Sequence, residues 1–446
     1  MPITPFFDVP SASRYALRGV TVHGCLAPAL QADPTQLVCA DLLIEHGRIA
    51  AVEPAGTLPA DSGPDLDRAM VLPGLLDCHT HLDKGHIWPR QPNLTGDGTG
   101  AAHATGVDRE ARWSAHDVEQ RMTFGLMAAH ARGVVAIRTH LDSLAPQAGI
   151  SFPVFDALRT RWADRIELQA SSIAPLDIFL TEEGCELADT VARYGGQLGC
   201  VTRFRKRPNV PLPPEFDQAM LRVMQLADER GLDLDLHVDE SSDPAVRTLL
   251  RVAQLALQHG FRGRILCGHC SSLALQSDEV IEATLQACKQ AGIDIVSLPT
   301  VNMYLQDRLP DAQPRRTPRW RGVTLVHEMK ARGLRVAVAG DNCRDPFHAY
   351  GDHDMLDTFS QAVRILHLDH PIGDWIGAVS RVPADIMKLP HRGRIEAGVP
   401  ADLIVLRARD HSELLARHQA DRVVLRRGRA IDTTPPDYRL LDELMR

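Results

Sequence analysis

Two histidines stand two residues apart at the end of an apolar run, Met70-Val-Leu-Pro-Gly-Leu-Leu-Asp-Cys-His79-Thr-His81. Strand side chains alternate faces, so His79 and His81 project together, about right for two imidazoles on one divalent metal. A lone pair of this kind is common on surfaces; here later strand-like runs end in groups of the same chemistry. Leu232-Asp-Leu-Asp-Leu-His-Val-Asp-Glu240 places the leucines and Val238 on one face and Asp233, Asp235, His237 and Asp239 on the other. Glu240 reaches the same point only if the strand ends and turns after His237. Arg264-Ile-Leu-Cys-Gly-His-Cys270 presents His269, and Arg335-Val-Ala-Val-Ala-Gly-Asp341 ends in a carboxylate preceded by small residues that allow close approach.

His79, His81, His237 and Asp341 are therefore the candidate metal ligands. Three imidazoles and one carboxylate with an open position suit one Zn²⁺ or Fe²⁺, with Mn²⁺ a third option. A water there has its pKa lowered toward neutrality. Asp341 can take its proton, Glu240 can act as general acid and base toward substrate, and His269 can hydrogen-bond the attacking oxygen. Each has a plainer alternative: a structural histidine bonded to Asp235 for His237, a turn or cap residue for Asp341. Cys267-Gly-His-Cys270 matches the C-x-x-C of disulfide oxidoreductases but lies deep in a long chain, and no second C-x-x-C completes a zinc site.

The elements that must position these residues alternate. Strands are predicted at Val71–His79, Val134–His140, Ile166–Ile173, Gln197–Phe204, Leu232–Val238, Arg264–His269, Asp294–Leu298 and Arg335–Ala339. Amphipathic helices are clearest at Val118–Arg132, Glu215–Arg230, Ala245–His259 and Ser277–Ala291. Eight strand–helix units predict an α/β fold, a (β/α)₈ TIM-like barrel with its chemistry at the C-terminal strand ends. A doubly wound open sheet would not gather strands one, five, six and eight around one centre. Short β elements occupy both chain ends: Ala16–Val22, Cys39–Glu45 and Arg48–Val52 with a hairpin turn at His46-Gly47, then Gly398–Leu406 and Ala420–Gly428. They flank the predicted barrel, which occupies residues 71–383. Gly96-Asp-Gly-Thr-Gly100 lacks dinucleotide-fingerprint spacing and reads as a loop over the barrel mouth.

The 446 residues carry a net charge of −8, which argues against binding nucleic acid through phosphate neutralisation. The basic runs Arg203–Arg207 and Arg426–Arg429 are short enough to be solvated faces or ion pairs. No apolar run reaches the roughly eighteen residues that span a bilayer, and the N-terminus lacks a signal-peptide pattern. Nine scattered cysteines, several in apolar runs, suit reduced thiols in a cytoplasmic protein.

These residues resemble the amidohydrolase superfamily and, within it, the cytosine deaminase branch of mononuclear metal-dependent deaminases. Pro73-Gly-Leu-Leu-Asp-Cys-His-Thr-His-Leu-Asp83 resembles the first-strand motif, Arg138-Thr-His-Leu-Asp142 the second-strand signature, and His237-Val-Asp-Glu240 the ligand-plus-proton-shuttle motif. Val301–Arg308, Asp345-Pro-Phe347 and Pro400–Leu406 resemble further segments of the branch, and the terminal β segments, residues 1–70 and 384–446, resemble the small β-sandwich that its members build from both chain ends. The resemblance implies His237 on the metal, Glu240 as shuttle, His269 against the hydrolytic water, and Asp341 as ligand and base. Around that centre the chain departs from the pattern. Ser172-Ile-Ala-Pro-Leu-Asp177 lacks the glutamine that reads a pyrimidine edge, Asn342 replaces a second aspartate, Phe347 a tryptophan, and Lys84 a small polar residue. Asn342, Phe347 and Lys84 are thus the candidate substrate contacts in an altered pocket. Binuclear members need a bridging residue at strand four; Gly199–Phe204 offers none and Lys206 lies just beyond, which favours one metal.

The expectation is a homo-oligomeric hydrolase that releases ammonia from a small heterocycle, with cytosine or a close analogue as lead substrate. The alternatives are the same centre on another C–N bond (an N-alkyl aminotriazine, isoguanine, creatinine or a cyclic amide) or a non-catalytic metal-binding protein. The small-fold cytidine deaminases need H-x-E followed by P-C-x-x-C, and His411-Ser-Glu413 has no such partner.

Overall fold

The computed structural model describes residues 6–208, 210–309, 314, 316–417 and 421–446. Strands β1 (Arg14–His23), β2 (Leu37–Glu45) and β3 (Arg48–Pro54) form an antiparallel meander whose β2–β3 turn is His46-Gly47. β4 (Met70–Pro73) lies parallel to β1 and antiparallel to β13 (Leu403–Leu406), which continues into β14 (Val423–Arg426) and β15 (Arg429–Ala430). Both chain ends thereby share one seven-stranded sheet around its own core, in which Leu17, Leu42, Val71 and Leu425 are buried. The expected strand at Ala420–Gly428 starts at Val423; Ala420 itself lies outside the described residues.

The predicted strand at Val71–His79 is two strands. Met70–Pro73 belongs to the terminal sheet, and β5 (Leu75–Thr80) opens the barrel. Gly74 makes the hand-over: a Cβ there would sit 2.1 Å from Val135 Cγ1, so only glycine lets the chain cross so close to the next strand. Periodicity could not show this break, because both halves are uniformly apolar and buried.

β6 (Val134–Asp142) pairs with β5, and β7 (Glu167–Ile173) pairs with β6. The other barrel strands are β8 (Leu198–Val201), β9 (Leu234–Val238), β10 (Ile265–His269), β11 (Asp294–Ser297) and β12 (Val336–Val338). Parallel bridges Ser171/Gln197 and Pro175/Val201 join β7 to β8, and Thr80/Asp341 joins β5 to the end of β12, closing eight strands into a barrel. The molecule is a (β/α)₈ barrel with a small β-sandwich domain formed by both chain ends. The four predicted helices are present at Ala115–Ala131, Phe216–Arg230, Thr248–His259 and Asp278–Ala291. Inside the barrel, Leu76, Ala136, Leu266 and Ala337 meet Ala384, Ile386 and Met387, so apolar packing fills the end opposite the chemistry. No helix of the described residues is long and apolar enough to cross a membrane.

Gly96–Gly100 is a loop only as far as Asp97; from Gly98 onward it is helical. Asp97 caps a helix, Gly98–Arg112, by accepting from the Gly100 amide at 2.8 Å. Three glycines disguised it, since glycine costs a helix roughly 1 kcal/mol per residue; the Asp97 cap was the available signal.

Candidate metal centre

Each group of the centre comes from the C-terminal end of a barrel strand. His79 lies in β5 and His81 just beyond it, His237 is penultimate in β9, His269 ends β10, and Asp341 follows β12. The candidate ligands also close the barrel seam. The Asp341 amide donates to His79 O at 2.8 Å and the Thr80 hydroxyl donates to Asp341 O at 2.7 Å. The Asp77 carboxylate reinforces it by accepting from the Gly340 and His79 amides at 3.1 and 3.4 Å.

Asp341 Oδ1 lies 3.2 Å from His81 Nε2 and 3.7 Å from His79 Nε2, and His81 Nε2 lies 3.4 Å from His237 Nε2. None of the four is more than 5% exposed. His79 Nδ1 and Nε2, His81 Nδ1, His237 Nδ1 and both Asp341 carboxylate oxygens are buried without a hydrogen-bond partner. Each such orphan costs about 1–3 kcal/mol, and converging lone pairs of this donor set fit a divalent cation. Burial, then the repulsion of neighbouring imidazoles, holds His79 and His237 well below the ordinary histidine pKa, and burial with nearby Lys84 does so for His81. The rings are therefore neutral, the form that ligates metal. Burial and the Glu240 and Asp345 carboxylates push Asp341 well above the usual carboxylate range, a shift that a cation reverses.

Glu240 reaches the centre through the required turn. Asp239 adopts φ +53° just past β9, held there as its carboxylate accepts from the Thr248 and Leu249 amides at 2.7 and 3.2 Å. Glu240 Oε2 then accepts from Arg203 at 3.2 Å, and Oε1 lies 3.8 Å from His269 Nδ1. His269 and Asp341 are left-handed too, at φ +69° and +62°. Such backbone costs a non-glycine residue about 1–3 kcal/mol, and here it is stored at the functional strand ends.

Asp235, the candidate partner of His237, instead lies 3.1 Å from Arg138 and 3.1 Å from His140 Nε2. His140 is a residue that reasoning on spacing missed. Its ring stacks within 4.0 Å of His79, centroid to centroid, and it forms a second possible ligand triplet with His79 and His81. The signal was present, because β6 ends in an imidazole like its neighbours, but the Arg138–Asp142 segment offered no spacing argument. Asn302 was also missed; its amide lies 2.9 Å from His269 Nδ1. The basic run 203–207 consists partly of ion pairs, Arg203 with Glu240 and Arg207 with Glu215.

A cavity of about 400 Å³ opens over His81, His237, His269, Asp341 and Glu240. Lys84, Asn342 and Phe347 all line it. Lys84 is buried, 3.2 Å from Asp142 and 4.9 Å from the Phe347 ring centroid; Asn342 donates to Asp345 at 2.8 Å. Lys206 is exposed, and β8 contributes no ligand among the described residues. All nine cysteines are free thiols, those of Cys267-Gly-His-Cys270 included.

The profile of the Amidohydrolase family matches residues 190–432. A pterin deaminase of Rhizobium rhizogenes (strain K84) is 48% identical over 444 residues, covering 99% of each chain. An N-isopropylammelide isopropyl amidohydrolase of Pseudomonas sp. (strain ADP) is 22% identical over 380 residues, 81% of this chain and 86% of the other. Among solved structures, 5-methylcytosine deaminase from Klebsiella pneumoniae superposes with TM-score 0.79 at 21% identity, covering 95% of this chain and 98% of that one.

Proposed function

This chain belongs to the amidohydrolase family, and from that premise we propose that it hydrolytically deaminates a pterin, replacing the 2-amino group of a 4-oxopteridine by oxygen. It is a C–N hydrolase of the heterocycle-deaminase kind; the substrate is the part proposed. What carries the pterin reading is full-length likeness to a pterin deaminase, together with a pocket that departs from the cytosine pattern. Ile173 and Pro175 wall the cavity where that pattern puts a pyrimidine-reading glutamine. An apolar wall suits the second ring of a flat bicycle, while Arg203, Gln306 and Asn342 offer polar groups to its edge.

His79, His81, His237 and Asp341 would hold one divalent metal, Zn²⁺, Fe²⁺ or Mn²⁺, which when bound supplies Lewis-acid activation of water near neutral pH. The remaining work falls to the chain. Asp341 accepts the proton of the attacking water. Glu240 delivers a proton to the ring nitrogen beside the carbon that carries the amine, and Arg203 holds its carboxylate in place. His269, fixed by Asn302, hydrogen-bonds the incoming oxygen, and Asp341 returns its proton to the departing amine. The new hydroxyl gives its remaining proton back to Glu240, and ammonia and a ring carbonyl result.

Ammonia release measured across pterin, cytosine, isoguanine, creatinine and an aminotriazine tests the reading. Pterin should exceed cytosine in kcat/KM by at least about 100-fold, the scale a pocket built to pair with a substrate's polar edge can impose. Preference for cytosine or a triazine would overturn it.

A further inference from the structure

Apart from the catalytic centre, the structure brings together a second trio of metal-ligating side chains. His86 lies on the loop leaving β5, and Cys343 and His353 lie on the segment leaving β12. One ligating atom from each falls within 4.8 Å of the others. His86 is 1% exposed, Cys343 4% and His353 7%. Neither ring nitrogen of His86 has a hydrogen-bond partner, and His353 Nε2 has none. A buried imidazole with both nitrogens unpaired is costly, and a packed histidine normally satisfies at least one. The surroundings leave room for the rings. His86 meets Phe124 edge to face at 4.8 Å, and Gly125 approaches His353 so closely that a Cβ would stand 3.0 Å from Nε2.

We propose that His86, Cys343 and His353 form a second metal site, separate from the catalytic one and taking Zn²⁺. Two imidazoles and a thiolate are a borderline-to-soft set that selects zinc over calcium, magnesium or manganese. The thiol gives its proton to solvent as the cation binds. Asp352 is committed elsewhere, accepting from Arg132 at 2.9 Å and from the Tyr438 hydroxyl at 3.2 Å, so a water takes the fourth position. Cys343 and His353 also line a cavity of about 720 Å³, which provides an entry path. The bound ion ties the loop that follows His79 and His81 to the segment that follows Asp341. It thus holds the two halves of the catalytic ligand set in register, reinforcing the two backbone bonds that join these segments there, His86 N to Cys343 O at 3.0 Å and Trp88 N to Arg344 O at 2.8 Å.

The catalytic ligands include no cysteine, so cobalt separates the sites. Full-length protein stripped of metal and reloaded with Co²⁺ should show a near-ultraviolet thiolate-to-cobalt charge-transfer band in addition to visible absorption from the histidine centre. Cys343→Ser should abolish the band, keep the visible absorption and lower the cobalt taken up on reloading from about two equivalents per chain to about one. His86→Asn should lower it equally, in case the serine variant folds poorly. A wild-type spectrum without the thiolate band overturns the proposal without recourse to any variant, as does a band that survives both substitutions. Substrate turnover enters none of these readouts, so they stand whatever heterocycle the catalytic centre prefers.

Discussion

Glu240 separates binding from catalysis most cleanly at the scale of single residues. It touches no metal-ligand atom within ion-pair range; its partners are Arg203 at 3.2 Å and His269 at 3.8 Å. Glu240→Gln keeps the shape and removes the transferable proton. Metal content should match wild type while turnover falls about 10²–10⁴-fold, the usual worth of one general acid–base group. Equal turnover in the two proteins would strip Glu240 of its role. The in-line spacing of His79, His81, His237 and Asp341 was legible because strand alternation turns sequence distance into direction. His140 and Asn302 were not, since their importance comes from what lies across the barrel: Asp235 and His79 for one, His269 for the other.

At the scale of elements, the barrel presents its candidate ligands where strands face one another across its interior and a side chain is absent. A Cβ on Gly268 in β10 would lie 3.0 Å from His79 Cε1 and 3.2 Å from its Nδ1. Gly268→Ala must therefore tilt the imidazole, and overpacking of this kind costs about 1–3 kcal/mol. Far-ultraviolet circular dichroism should be unchanged, while metal affinity drops about 10–100-fold, as when a ligand loses its orientation. Wild-type affinity in the alanine variant would show that His79 does not need its present orientation. The eight strands were visible in the alternation of apolar runs with amphipathic stretches. The break at Gly74 and the helix at Gly98–Arg112 were not, because one depends on Val135 across the sheet and the other on a cap that outweighs three glycines.

At the scale of the whole molecule, buried neutral histidines set the response to acid. His23, at the end of β1, has its pKa lowered to about 3 by burial and then by His411, whose ring lies 4.9 Å away. His130, on the barrel helix beside the terminal sheet, is lowered to about 4 by burial, Arg426 and Arg165. Unfolded, both titrate near 6.5, so below that pH the unfolded chain binds more protons than the folded one. Stability is present in full above about 6.5 and is lost as pH falls toward 4, by up to about 1.4 kcal/mol per pH unit for His23 and by less for the half-buried His130. The thermal midpoint should decline from pH 7 to 5, and His23→Gln should flatten that decline; an unchanged slope would assign the acid sensitivity to other groups. The sharing of one sheet by both chain ends was readable from the short β runs there and the family they resemble, whereas the histidines inside it were not, since burial is a property of the fold. The claim on which the rest depends is hydrolysis at the carbon bearing the amine of a pterin. Turnover of pterin in ¹⁸O-labelled water, followed by mass spectrometry and ammonia assay, tests it directly. One ammonia per product molecule and one labelled oxygen in its new ring carbonyl are expected; unaltered pterin, or a product that keeps its amine, would contradict hydrolysis at that carbon.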